Sequence, residues 1–221
     1  MQIINIKSGA PYDVYCGRAG HGQDGYFGNP HKIGYCDICK KNHEREECLI
    51  EYTKDFSKRL QEDAEFKSKI EELKNKICGC FCHPHACHLD IIKKYLEFPK
   101  VIIAGSREIT GYSVVNYFIR ETLKENKFRI GQVVCGEARG VDTVGKDYAF
   151  RNLISVKSFP ANWEKYGKSA GYRRNEEMAK YASHLILIWD GKSKGSGHMK
   201  DLAIKYKLQI YERIYDPTRK S

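Results

Sequence analysis

Eleven residues from Cys78 to His88, CGCFCHPHACH, contain seven cysteines or histidines. Thiolate and imidazole donors at that density can hold zinc, can pair a thiol with a base for nucleophilic chemistry, or can scaffold a loop. A second group stands upstream in CDICKKNHEREEC, a C-x2-C-x3-H-x4-C pattern at Cys36, Cys39, His43 and Cys48. Nine cysteines, an odd number, argue against a disulfide framework and leave metal ligands, buried thiols and a reactive thiol as the readings.

The upstream spacing is one residue shorter between Cys39 and His43 than in a zinc knuckle. The acidic flank Glu44-Arg45-Glu46-Glu47 is also wrong for gripping phosphates, so a metal there is expected to be structural. Two ligand sets follow: Cys36, Cys39, His43 and Cys48 in the first run, and Cys80, Cys82, Cys87 and His88 in the second. In an alternative pairing, Cys36 and Cys39 form a half-site completed by the second run. Zinc is the expected metal.

A different chemistry is suggested by three turns: Gly105-Ser106-Arg107, Gly136-Glu137-Ala138-Arg139-Gly140, and the run from Gly191 to Gly197, GKSKGSG. Glycine lets backbone approach a phosphate closely, and a helix N-terminus behind it favours the anion. Arg107, Arg139, Lys192 and Lys194 could add charge-assisted contacts. The binding set comprises Gly105, Ser106, Arg107, Gly136, Ala138, Gly140, Arg174, Asn175, Gly191, Ser193, Gly195 and Ser196. Trp163, Tyr166 and Tyr172 could stack on a base. Neither a P-loop nor a dinucleotide fingerprint is present, which disfavours kinases, GTPases and nicotinamide dehydrogenases; no nicotinamide or flavin cofactor is expected.

These residues need elements to position them. From residue 99 onward, apolar runs alternate with amphipathic ones: VIIAGSRE, SVVNYFIRETLKEN, QVVCGEARG with VDTVGKDYAFRN, SVKSFP, SAGYRRNEEMAKYA, HLILIWDG, HMKDLAIKY and LQIYERI. The pattern predicts a parallel sheet covered on both faces, with the glycine turns at the carboxyl ends of its strands. Arg173, Arg174 and Asn175 are expected to open their helix. Residues 1–98 predict a smaller α/β domain: strands at MQIINI and VYCG, a helical stretch from Arg45 to Lys76 interrupted near Asp63, and a helix at LDIIKKYLEF. The expected division is 1–98 and 99–221, in the α/β class, with a Rossmann-like domain preceded by a Cys/His-bearing one.

The chain of 221 residues, 41% apolar, can build real cores, and its net charge is +10. Acidic and basic side chains balance in residues 1–98, so the whole excess lies in 99–221. Such a field favours an anionic ligand, either a small nucleotide-like molecule or nucleic acid. No run is long and apolar enough for a membrane span, so a cytoplasmic protein is expected, in the host cytoplasm if phage-encoded.

Two resemblances sharpen this reading. IAGSRE, CGEARGVDTVGKDYA, FPANWEKYGKSAGYRRNEEM and LILIWDGKSKGSG, over about residues 99–210, resemble the YspA-like branch of the SLOG superfamily. The resemblance implies a Rossmann-like fold for nucleotides or nucleotide-derived molecules. Its relatives include Lonely Guy phosphoribohydrolases, the single-stranded-DNA-holding DNA-processing protein A, and sensors of cyclic ADP-ribose signals. Arg174 stands where the Lonely Guy arginine would, but Met199 replaces the glutamate, leaving Glu137 or Asp142 as substitutes for acid–base work. Alternatively, Asp142 caps its helix and Glu137 is solvated.

Val14-Tyr15-Cys16-Gly17-Arg18, Gly28-Asn29-Pro30 and CFCHPHACHLD at 80–90 resemble an uncharacterised phage and bacterial domain family, marked by VYxGR, GNP and CWCxPxxCHxD. Its motif retains Cys80, Cys82, Cys87, His88 and Asp90. Arg18 and Asn29 beside it could form an anion-holding pocket. Two function classes follow. One is a protein that binds, or hydrolyses at an N-glycosidic bond, a ribosylated or cyclic nucleotide-derived compound, in the setting of phage–host conflict; the other is a zinc-containing nucleic-acid-binding protein. A homo-oligomer is the expected assembly.

Overall fold

A computed structural model describes residues 1–20 and 22–216. The chain divides into two compact units, Met1–Glu97 with Leu153–Ser155, and Phe98–Asn152 with Val156–Ser221.

In the first unit, β1 (Gln2–Asn5), β5 (Ile77–Cys80) and β2 (Val14–Tyr15) form a parallel sheet in the order β1-β5-β2. A short antiparallel hairpin, β3 (Gly34–Cys36) and β4 (Lys41–His43), precedes helix α1 (Arg45–Glu62). The Glu44 amide donates to Glu47 Oε2 at 3.0 Å, the return half of a capping box that starts α1. The expected interruption falls at Asp63, whose Oδ1 accepts from Phe66 N at 2.8 Å and caps α2 (Ala64–Glu72). Apolar residues spaced by three and four along α1 (Leu49, Tyr52, Phe56 and Leu60) meet Phe66, Ile70 and the Leu89, Ile92 and Tyr95 face of α3 (His88–Glu97) in one core.

The second unit is a five-stranded sheet of β6 (Lys100–Gly105), β7 (Gln132–Cys135), β8 (Ser155–Ser158), β9 (His184–Trp189) and β10 (Gln209–Ile214), ordered β10-β9-β6-β7-β8. The β6–β7, β6–β9 and β9–β10 pairs are parallel. Continuous apolar runs in β6 and β9 are buried on both faces, as a doubly covered parallel sheet requires. Ile102, Leu185, Leu187 and Trp189 pack with Met178, Ala179, Met199 and Leu202 of α7 (Ala170–Tyr181) and α8 (Lys194–Lys205). Helices α4 (Tyr112–Glu125), α5 (Val141–Arg151) and the short α6 (Trp163–Tyr166) complete the unit. The chain leaves β6 toward β7 on one side and β9 toward β10 on the other, so the strand order reverses between β6 and β9. A crevice outside the strand ends at such a reversal is where open α/β sheets take ligands. Among the described residues, no helix is long and apolar enough to cross a membrane.

Candidate functional site

A cleft of about 350 Å3 opens at that reversal, lined by Gly105, Arg107, Ala138, Asp142, Arg174, Asn175, Ser193, Gly195 and Ser196 from the expected set. Gly105 ends β6 where only a glycine fits, because a Cβ there would run into the Ile188 carbonyl oxygen and lie 2.8 Å from Val141 Cγ2. Four segments apart in sequence thus converge: the β6 turn, the start of α5, the first two turns of α7, and the start of α8.

Asp142 lies in the first turn of α5 and is buried. Burial pushes its carboxyl up to about 6, against the opposing pull of the Arg174 guanidinium and of hydrogen bonds from the backbone of Ala138, Gly136 and Gly105. Asp142 therefore stitches the turns after β6 and β7 together, and the helix cap itself is Gly140. The Arg174 guanidinium donates to the Gly136 carbonyl and through Nε to Asn175 Oδ1 at 2.9 Å. Arg107 and Lys168 add positive charge; Trp163 and Tyr172, both exposed, form a rim, and Met178 and Met199 an apolar floor. Tyr172 meets His198 edge-on at 4.6 Å.

Several expected residues lie elsewhere. Glu137 sits in a neighbouring groove with Gly136 and Arg139; its salt bridge to Lys146 at 2.6 Å holds it below the ordinary carboxylate range. Arg139 pairs with Glu108. Ser106 is buried and accepts the Asp190 amide at 3.1 Å, tying the ends of β6 and β9 rather than lining the cleft. Gly140 and Gly191 make turns outside it. Arg173 stacks on Tyr166, and neither lines the cleft.

Two element boundaries differ from expectation. Helix α8 starts at Lys194, so Gly195, Ser196 and Gly197 form its first turn instead of a loop before it. The Asp190 carboxylate accepts the amides of Lys192 and Ser193 at 3.0 and 2.9 Å and folds the chain straight into that helix. Helix α7 starts at Ala170, so Arg174 and Asn175 lie within it rather than at its opening. Lys168 and Met178 were missed; a basic residue just ahead of α7 was the available signal for the first.

In the first unit a second cavity, about 320 Å3, is lined by Arg18, Asn29, Arg45, Cys48, Cys80, Cys82, Cys87 and His88, among others. Cys80 Sγ lies 3.3 Å from Cys87 Sγ, which lies 3.4 Å from His88 Nδ1. His88 Nε2 donates to the Cys16 carbonyl at 2.7 Å, so Nδ1 turns its lone pair to the thiol, and burial keeps the ring neutral by lowering its pKa. Hydrogen bonds from Cys80 and Cys87 hold the Cys82 thiol well below its ordinary range. Asp90, in the first turn of α3, accepts the Cys87 amide at 2.8 Å. The motif glycines explain each other: a Cβ on Gly28 would lie 2.8 Å from Gly17 C and 2.9 Å from Arg18 Cα, so VYxGR and GNP touch backbone to backbone. Arg18 donates to the carbonyls of Asn29 and His31, and Asn29 Nδ2 meets Cys48 Sγ at 3.3 Å.

Among the described residues, two Cys/His groups could hold a metal ion: His31, Cys36, Cys39 and His43, and Cys80, Cys87 and His88, with the ligand atoms of each group within 4.8 Å of one another. The expected set for the upstream run is corrected at one position. Cys48 sits in the first turn of α1, turned to Asn29 and the His31 carbonyl, and His31 takes its place. Nor does the downstream run complete the Cys36–Cys39 half-site.

Residues 4–98, which hold the VYxGR, GNP and C-x-C-x4-C-H motifs, match the family described as "Domain of unknown function (DUF4326)". No solved structure matches the chain. The Gene 61 protein of Mycobacterium phage D29 is 30% identical over 105 residues, which cover 45% of this chain and 83% of that protein. By the motifs packed around the first unit's cavity and by this relative, the chain belongs to the DUF4326 family.

Proposed function

We propose that the protein binds a phosphorylated, nucleoside-derived ligand in the cleft of the second unit. The observation that carries this reading is the convergence of Arg107, Lys168 and Arg174 with the first turn of α8 on one cleft at the sheet's reversal point. Both α5 and α8 point N-termini at the strand ends, but α5 already has an anion of its own in Asp142. In α8 the amides of Lys194, Gly195 and Ser196 begin the helix with no backbone acceptor among the described residues, and the Ser193 and Ser196 hydroxyls stand beside them. That turn is the seat for the phosphate. Trp163 and Tyr172 supply π faces for a base, and the volume suits a small molecule, for which roughly 300–1,000 Å3 is usual. The likeness of the four motifs to the YspA-like branch of the SLOG superfamily supports the same ligand class.

For an N-glycosidic cleavage, Asp142 is the carboxyl in the cleft whose proton is held to near-neutral pH, and Met199 offers no charge where the Lonely Guy glutamate would stand. Binding is therefore the primary activity and hydrolysis a secondary one. The phage relative supports a phage setting alone; that the ligand is a nucleotide-derived signal rests on the cleft. Zinc is the metal that the sulfur and nitrogen donors of the first unit select.

Native mass spectrometry of the full chain, purified without chelator, tests the reading. A co-purified adduct of nucleotide mass that is absent from Arg174→Ala supports it, and an adduct retained in that variant places the ligand elsewhere. A nucleic-acid ladder in place of a discrete adduct favours the competing reading from net charge.

A further inference from the structure

We propose that His31, Cys36, Cys39 and His43 form a closed, four-ligand zinc site that holds together the hairpin of the first unit. The inference rests on the zinc reading for the metal's identity and is independent of the ligand in the second unit.

The hairpin has no core of its own. Ile33, Tyr35 and Ile38 are half or more exposed, and in strands β3 and β4 the buried side chains are Cys36 and His43. Three residues per strand cannot sustain an isolated hairpin in water, so something must hold these inward side chains together.

The geometry names what does. His31 Nδ1 lies 3.3 Å from Cys39 Sγ and 3.6 Å from Cys36 Sγ. Zinc bonds of about 2.0–2.3 Å at tetrahedral angles separate their donors by roughly 3.3–3.8 Å. His31 Nε2 lies 2.9 Å from Asp55 Oδ2; with the Nε2–H donating to the carboxylate, Nδ1 keeps its lone pair facing the two sulfurs, the outer-shell arrangement of zinc-bound histidines. His43 is 2% exposed, and neither of its ring nitrogens has a hydrogen-bond partner. Burying such a group unpaired is costly, because it gives up its hydrogen bonds to water; coordination removes that cost. Two thiolates and two imidazoles leave no open position, so the site is structural.

The site also reaches the neighbouring cavity. The His31 carbonyl accepts from the Arg18 guanidinium and from Cys48 Sγ at 3.2 Å, so a metal that fixes His31 fixes two residues of the cavity wall.

The test weighs metal on the full chain by native mass spectrometry in wild type, His31→Gln, His43→Gln, His43→Cys and Cys48→Ser. His31→Gln and His43→Gln should each carry one zinc fewer than wild type. His43→Cys and Cys48→Ser should carry the wild-type number, since the first keeps a donor and the second removes none. Loss in Cys48→Ser with retention in His31→Gln overturns the ligand set, as does a wild-type count in His43→Gln. An ion of another mass lost with the same residues contradicts zinc and leaves the ligand set standing. Should the glutamine variants not fold, cobalt loaded into Cys87→Ser, which lacks a donor of the other cluster, gives a second reading. Intense tetrahedral bands with thiolate charge transfer support the site, and the weak spectrum of an octahedral ion overturns it.

Discussion

At the scale of single residues, Asp142 and Arg174 hold the second unit's cleft in a defined charge state. The Asp142 carboxyl titrates near 6 when folded and near 3.8 otherwise, so the native state holds the proton more tightly than the unfolded one. The stability from this proton is present below about pH 4 and is lost as pH rises through about 6, a swing on the order of 3 kcal/mol. Both tryptophans, Trp163 and Trp189, lie in the second unit, so their fluorescence in urea titrations between pH 4 and 7 reads this directly. Relative to Asp142→Asn at the same pH, the wild-type midpoint should fall across that window; the comparison cancels the other groups that titrate there. Arg174→Ala should push the transition to higher pH, because it removes the charge that favours the carboxylate. Arg174 and Asp142 were legible in the sequence as candidates, Arg174 because it stands where the Lonely Guy arginine would and Asp142 as a carboxyl close behind a glycine turn. The partition between them and Glu137 was not, since it depends on Lys146 reaching back from α5 to neutralise Glu137.

At the scale of elements, the alternation of apolar runs and amphipathic stretches was enough to read all five strands of the second unit; β6 and β9 are continuous apolar runs because both their faces are covered, whereas the edge strands β8 and β10 are mixed. The start of α8 was not legible. GKSKGSG looks like loop by composition, and only the Asp190 turn folds its second half into helix. His31 was not legible for a related reason: it lies before the hairpin, outside the C-x2-C-x3-H-x4-C spacing, and only the fold brings it against Cys36 and Cys39. Two predictions belong here. Gly105→Ala forces a methyl onto the Ile188 carbonyl and should cost about 1–3 kcal/mol, read as a lower urea midpoint by tryptophan fluorescence. Chelation should strip hydrogen-exchange protection from β3 and β4 and leave the amides of β6 and β9 protected; equal loss in both would show that the metal does not act through the hairpin.

At the scale of the whole molecule, the family motifs of the first unit surround a cavity of about 320 Å3, and the glycine turns of the second unit surround one of about 350 Å3. The first unit defines the family, and its motif residues are spent largely on holding one another: Gly17 against Gly28, Arg18 on two carbonyls, His88 on Cys16. The second unit carries the excess positive charge, and there the arginine and helix-terminus donors face a cleft. Calorimetric titration of the full chain with nucleoside mono- and diphosphates and ADP-ribose, beside a single-stranded oligonucleotide, at two salt concentrations, tests the central claim most directly. The account predicts one saturable site for a mononucleotide-sized ligand, weakened about 10- to 150-fold by Arg174→Ala, with a salt dependence no steeper than one or about two phosphates give. No binding of any small ligand, together with oligonucleotide binding that falls steeply with salt and is unchanged in Arg174→Ala, would contradict it.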